Sequence, residues 1–374
     1  MGAIADRQSN FELLRIIAML FIILHHVSIH GGWGNGGVFS PEDITIGALY
    51  LQGLLPLGKI GVDLFVLITG YFLYASSKST WPKAMKLWLE MLFYSMIIPI
   101  IFTLWGDHDI TSGEFLSMIT PAVHSTWWFA TSYLILLILT PFVNKMLSLC
   151  DERDCIKLIA GSLLIWCVIP TIISVNTEFS NIAWFIILYT IGAFIARFPI
   201  HFRSGPSRYL PYATGAYVIL LLSFYVADVT GFTSELLGIY NPVDHLIAMN
   251  SIPCVIIASA IFIAFSKMPM KNNIVINTIA ASTFGIYLIH DHYLVRGYIY
   301  SDVFDCFSWT GSDLLIPYTL SICAAIFVVC SIEELIRMAT VGRYIINPLS
   351  RRAEDLQKKI DSLIDRHITG NIHS

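Results

Sequence analysis

The stretch Phe11-Glu12-Leu13-Leu14-Arg15-Ile16-Ile17-Ala18-Met19-Leu20-Phe21-Ile22-Ile23-Leu24-His25-His26-Val27-Ser28-Ile29-His30 decides how this chain is read. Nothing polar interrupts it from Ile16 to Leu24, and about 20 mainly apolar residues suffice for a helix to cross a bilayer. No clean small-residue cleavage site follows, since Gly31-Gly32-Trp33-Gly34 matches one poorly, so the segment reads as a retained span and not a signal peptide. Yet it carries Glu12, Arg15, His25 and His26, and ionisable groups inside a span cost a few kcal/mol each.

The rest of the chain agrees with a membrane solvent. Of 374 residues, 56% are hydrophobic and only 13% charged, where soluble proteins carry about 25%. The mean hydropathy is +0.70. This excludes a disordered chain and argues against a water-soluble globular enzyme. The net charge of −4 offers no basic patch for nucleic acid. The seven cysteines are odd in number, with no Cys-x-x-Cys pair, so neither a disulfide framework nor a zinc site is expected, and no metal is assigned.

The fold class is therefore all-α, a polytopic membrane protein. Apolar runs mark ten spans, near 11–30, 47–75, 85–106, 127–147, 156–175, 182–199, 209–228, 246–266, 275–294 and 313–337. Lys78, Lys83, Lys86, Lys145, Arg153, Lys157, Arg203, Arg208, Lys267 and Lys271 then fall in loops on one side, as do the basic residues of the tail. Glu42, Asp43, Asp107, Asp109, Glu114, Glu178, Glu235, Asp244, Asp302 and Asp305 fall in loops on the other. Basic loops are cytoplasmic, so both termini are expected in the cytoplasm. The chain divides into a transmembrane body, residues 1–337, and a cytoplasmic tail, 338–374, in which Leu356, Ile360, Leu363 and Ile364 recur at the spacing of an amphipathic surface helix.

Arg15 and His26 are eleven residues apart. At roughly 100° and 1.5 Å per residue they share one helix face, about 16 Å apart along the axis, while His25 lies about 80° off that face. Glu12 is one turn before Arg15 and can pair with it. An arginine suits a phosphate-bearing ligand; a histidine suits removal of a hydroxyl proton. The competing reading is that Arg15 snorkels to headgroups and the histidines cap a helix end. In the second span, Asp63 sits among apolar residues four positions after Lys59, with Gly61 and Gly70 allowing close helix approach. The ninth span places Tyr287 and His290 on one face, with Arg296 just beyond, either facing a polar ligand or pairing with Asp291 or His292. Trp128 opens the fourth span as part of an aromatic belt or as a sugar-stacking platform. His30 is expected in a loop.

These motifs resemble the acyltransferase family 3 membrane proteins. The Arg15, ten residues, His26 spacing is similar to that family's first-span signature. Gly61 to Tyr71 resembles its second-span signature, with Thr69 where serine is usual. Trp128-Phe129 with Pro141 resembles its fourth-span pattern, and Phe284-Gly285-Ile286-Tyr287-Leu288-Ile289-His290 its late-span motif. The resemblance implies an integral-membrane acyltransferase domain over the body. Such proteins usually move acetyl from acetyl-CoA to a hydroxyl of a cell-surface polysaccharide or its lipid-linked precursor. It further implies a multi-pass location in a bacterial cytoplasmic membrane, and that Lys83 and Lys86 stand where the family often has basic residues. The expected site is thus His26 with Arg15 as catalytic residues and Arg15, Lys83 and Lys86 toward acyl-CoA. Glu12, His25, Asp63, Trp128, Tyr287 and His290 are supporting candidates. Acetyl-CoA is a donor substrate, not a bound cofactor. The roughly 37 residues after the last span leave little room for a fused hydrolase-like domain, so a stand-alone enzyme, or one with a separate partner, is expected. A transporter or flippase for a polar solute is the rival reading from another class.

Overall fold

The computed structural model describes residues 7–31, 44–74, 80–173, 181–202, 204–230, 242–309 and 311–370. Lys78, Glu42, Asp43, Glu178, Arg203 and Glu235, used in the charge alternation above, lie outside the described residues, as do the side chains of Asp244, Ile364 and Arg366.

Every regular element among the described residues is helical. In chain order we label α1 (Ser9–His30), α2 (Ile46–Leu73), α3 (Trp81–Trp105), α4 (Ser112–Ile119), α5 (Trp128–Leu149), α6 (Glu152–Ile173) and α7 (Asn181–Arg197). Next come α8 (Pro206–Thr230), α9 (Ile252–Ser266), α10 (Ile274–Ala281), α11 (Thr283–His290), α12 (Tyr293–Gly297), α13 (Leu315–Arg337) and α14 (Asn347–Gly370). The helices begin and end where local chemistry permits. The Thr45 and Ser251 side chains accept the backbone N–H of Ala48 and Cys254, at 3.1 and 3.4 Å, and Asn273 accepts those of Val275 and Ile276. Each meets an N–H that the first helical turn leaves unpaired. α3 stops at Gly106, whose φ of +85° suits a residue without Cβ.

Eight helices among the described residues are long and apolar enough to cross a membrane: α1, α2, α3, α5, α6, α8, His245–Ser266 and Leu315–Ile360. The two remaining expected spans differ in form. α7 has 17 residues, short of a full crossing. The segment expected to run straight over 275–294 is broken. Ile274–His290 and Tyr293–Val303 meet at 77°, with the corner at Asp291-His292, where the His292 ring accepts the Leu294 N–H at 3.3 Å. The helix of the last span does not stop at residue 337; a π-helical turn over Met338–Ile346 carries it into α14.

The chain forms two compact units, one of Met1–Ala75 with Met146–Ser331, the other of Ser76–Lys145 with Ile332–Ser374. In the first, α1 packs along α2, α2 along α7, and α10 and α11 against α1. Small residues set these distances. A Cβ on Gly61 would lie 2.6 Å from the Ala18 carbonyl oxygen, and one on Gly70 would run into the Tyr189 carbonyl, so α1 and α7 approach α2 at the two glycines marked above as close-approach positions. In the second unit α14 packs on α3, with the Ser350 hydroxyl donating to the Pro82 carbonyl at 3.0 Å. Leu356, Ile360 and Leu363 of α14 are exposed.

Candidate active site

α1 carries two polar clusters. Near its start Glu12 is buried and held by two guanidinium groups: Arg15 Nη1 at 2.5 Å on one carboxylate oxygen and Arg7 Nη1 at 2.9 Å on the other. Arg15 keeps 26% of its side chain exposed. A guanidinium has five N–H donors, so Glu12 orients Arg15 without exhausting it.

Near the other end of α1, His25 and His26 diverge, as their 100° separation requires. His25 turns to α2, against Gly58, where a Cβ would overlap the imidazole ring. His26 turns to the broken span. Its Nδ1 lies 2.9 Å from Nε2 of His290, and its Nε2 lies 3.7 Å from the Asp291 carboxylate. His290 Nδ1 in turn donates to the Ile286 carbonyl one turn back on α11, at 2.6 Å. His30 is not in a loop. It closes the last turn of α1, one turn after His26, with its Nε2 4.0 Å from the same Asp291 oxygen. Arg296 Nη1 approaches that oxygen at 3.4 Å, so the cation beyond the ninth span pairs with Asp291. Tyr300, fully buried, has its ring 5.9 Å from that of His30. Tyr287 lies 6.3 Å from His290, ring to ring. The break at 291–292 creates this cluster: it places His290 and Asp291 side by side at the end of α11 and returns the chain so that Arg296 faces Asp291.

The model of the acyltransferase domain family matches residues 8–334, nearly the whole chain. The chain belongs to this acyltransferase family. The matched range holds Glu12, Arg15, His26, His30 and the broken span. No curated protein and no solved structure matches the acyltransferase.

Other expected residues of the acyltransferase fall elsewhere. Asp63 is fully buried on α2 and accepts the Trp184 indole N–H of α7 at 3.1 Å; Lys59, its expected partner, lies within electrostatic reach. Lys83, Lys86 and Trp128 belong to the second unit. Lys83 and Lys86 are exposed on the first turns of α3, with Lys86 Nζ 3.8 Å from Glu90. Trp128 begins α5, edge-on to Phe129 at 6.2 Å.

The ligand-type atoms of His26, His30 and Asp291 lie within 4.8 Å of one another, close enough to hold a metal ion. The nearby Arg296 guanidinium, however, already supplies a positive charge to that carboxylate. Sequence reading left out His30, Asp291 and Arg7 as site residues, though the i, i+4 spacing of His26 and His30 was visible. It also overlooked a buried ionic cluster in the second unit. There Arg337 binds Glu334 at 2.6 Å and Glu90 at 3.0 Å, and Tyr94 donates to Glu334 at 2.6 Å. Glu90 inside an apolar span was the available signal.

Proposed function

We propose that this acyltransferase moves an acetyl group from cytoplasmic acetyl-CoA to a hydroxyl of a cell-surface polysaccharide or its lipid-linked precursor, in a bacterial cytoplasmic membrane. The observation that carries the reading is the placement of two chemically different groups along one face of α1. An arginine steadied by Glu12 lies about three turns from a histidine held between His290 and Asp291. Arg15 holds a phosphate of the donor. His26 takes the proton from the acceptor hydroxyl. The hydroxyl oxygen attacks the thioester carbonyl, the C–S bond breaks, and the departing thiolate receives the proton from the His26 imidazolium. The ester and free CoA are the products.

The imidazolium formed midway has two partners already in place. His290 Nε2 faces its Nδ1 and the Asp291 carboxylate faces its Nε2. Both contacts support the reading of His26 as a base, and Arg296 supplies a positive charge beside Asp291.

The test is release of free thiol from acetyl-CoA by the purified protein in lipid discs, with and without a glycan acceptor. Release that requires the acceptor, with one added acetyl mass on the glycan, supports the reading. Thiol release at the same rate without acceptor, or no change in the glycan, overturns it.

A further inference from the structure

The hydrogen bonds around His26 determine where its proton sits, and the reasoning starts one residue away. A carbonyl oxygen can only accept, so the 2.6 Å contact from His290 Nδ1 to the Ile286 carbonyl places a proton on His290 Nδ1. If His290 is neutral, its Nε2 then carries a lone pair and no proton. The 2.9 Å contact between that Nε2 and His26 Nδ1 needs one proton between them, and His26 must supply it. His26 is thereby held as the Nδ1–H tautomer, and its Nε2, on the side of Asp291 and His30, is left with the free lone pair.

The alternative is a doubly protonated His290, which would donate to His26 Nδ1 and leave the proton on His26 Nε2. That requires a cation on a fully buried ring. Among the described residues no carboxylate lies within ion-pair distance of His290; the Asp291 carboxylate is taken by His26, His30 and Arg296. An unpaired charge at such depth is expensive. The neutral ring is favoured.

From this we infer that His290 is a positioning residue for the acyl transfer: by accepting from Nδ1 it selects the His26 tautomer whose Nε2 can take the hydroxyl proton. A histidine in a catalytic triad is fixed in the same way by a carboxylate. Here a second imidazole does so, itself fixed by a backbone carbonyl of its own helix. The inference rests on the reading of His26 as the base. When the proton arrives on Nε2, the Nδ1–H bond to His290 becomes a bond from a charged donor, which strengthens it in the transition state.

The test compares wild type, His290→Gln, His290→Leu and His26→Gln, each checked for normal thermal unfolding in detergent. Glutamine keeps an acceptor for His26 Nδ1; leucine removes it. The expected result is a fall in kcat of about 10- to 100-fold in His290→Leu, the size of one charged hydrogen bond, with KM for acetyl-CoA unchanged, and recovery of most of kcat in His290→Gln. In ¹⁵N spectra of labelled histidine, the His26 signals (identified by their loss in His26→Gln) should show a protonated Nδ1 and a bare Nε2 in wild type, and mixed tautomers in His290→Leu. Wild-type kcat in His290→Leu, or equal loss in the leucine and glutamine variants, overturns the inference while an inactive His26→Gln leaves the base assignment standing. An active His26→Gln would instead remove the base assignment itself.

Discussion

Nδ1 of His26 on α1 and Nε2 of His290 on α11 lie 2.9 Å apart, although 264 residues separate them in the chain. The contact joins the first span to the broken ninth, and the adjacent histidines His25 and His26 of α1 meet different environments: His26 a polar corner, His25 the α2 backbone at Gly58.

That division predicts a steric coupling. Gly58→Ala drives a Cβ into the His25 ring, and overpacking of this kind costs about 1–3 kcal/mol. Thermal unfolding in detergent should show a lower Tm for Gly58→Ala. In a His25→Ala background the same change should cost much less. Equal losses in both backgrounds would show that the close approach is not what limits the position.

Arg15 is expected to act on donor binding. Arg15→Ala should raise KM for acetyl-CoA by about 10- to 100-fold, the range for a lost charged hydrogen bond, with a smaller effect on kcat. Arg15→Lys should recover only part, because an ammonium lacks the planar fork. Steady-state kinetics at varied acetyl-CoA would show it, and an unchanged KM in Arg15→Ala would detach this residue from the donor.

In the second unit, Arg337 is surrounded by Glu90, Glu334 and Tyr94, with its side chain 4% exposed. Arg337→Met leaves the buried Glu334 without its cation and Glu90 with only the exposed Lys86 at 3.8 Å, and removing one partner of such a group costs about 3–5 kcal/mol. Adding Glu90→Gln and Glu334→Gln should return most of the lost Tm. If the triple variant melts no higher than Arg337→Met, the cluster is not held together by its charges.

Excess EDTA should leave acyl transfer unchanged, because Arg296 already faces Asp291 at 3.4 Å and His26 Nε2 serves as a base. Loss of activity on chelation, restored by one divalent ion, would make His26, His30 and Asp291 a metal centre instead.

Hydropathy located helical structure at each expected span, because it is summed over many residues and tolerates local error. It did not reveal the 77° break. Ile274–His290 is apolar enough to read as continuous with Tyr293–Val303, and the turn depends on two residues, Asp291 and His292, whose caps are local. For the same reason Asp291 entered only as one of two alternative partners of Arg296, and not as part of the cluster around His26. Helix geometry alone separated His26 from His25, since one residue is 100° of rotation. Nothing in the first span could indicate His290 as the partner of His26, because that contact depends on how α11 packs against α1. The close approaches at Gly61 and Gly70 were legible; the buried Glu90–Arg337–Glu334 group was not, since its members come from two distant helices.

The role of His26 is tested most directly by the rate of labelled acetyl transfer from acetyl-CoA to a glycan acceptor, measured for wild type, His26→Gln and His25→Gln in equally folded, membrane-inserted protein. Loss of a general base typically removes a factor of about 10² to 10⁴. The predicted result is a loss in that range for His26→Gln and a much smaller one for His25→Gln. Wild-type transfer by His26→Gln, or equal losses in the two variants, would contradict it.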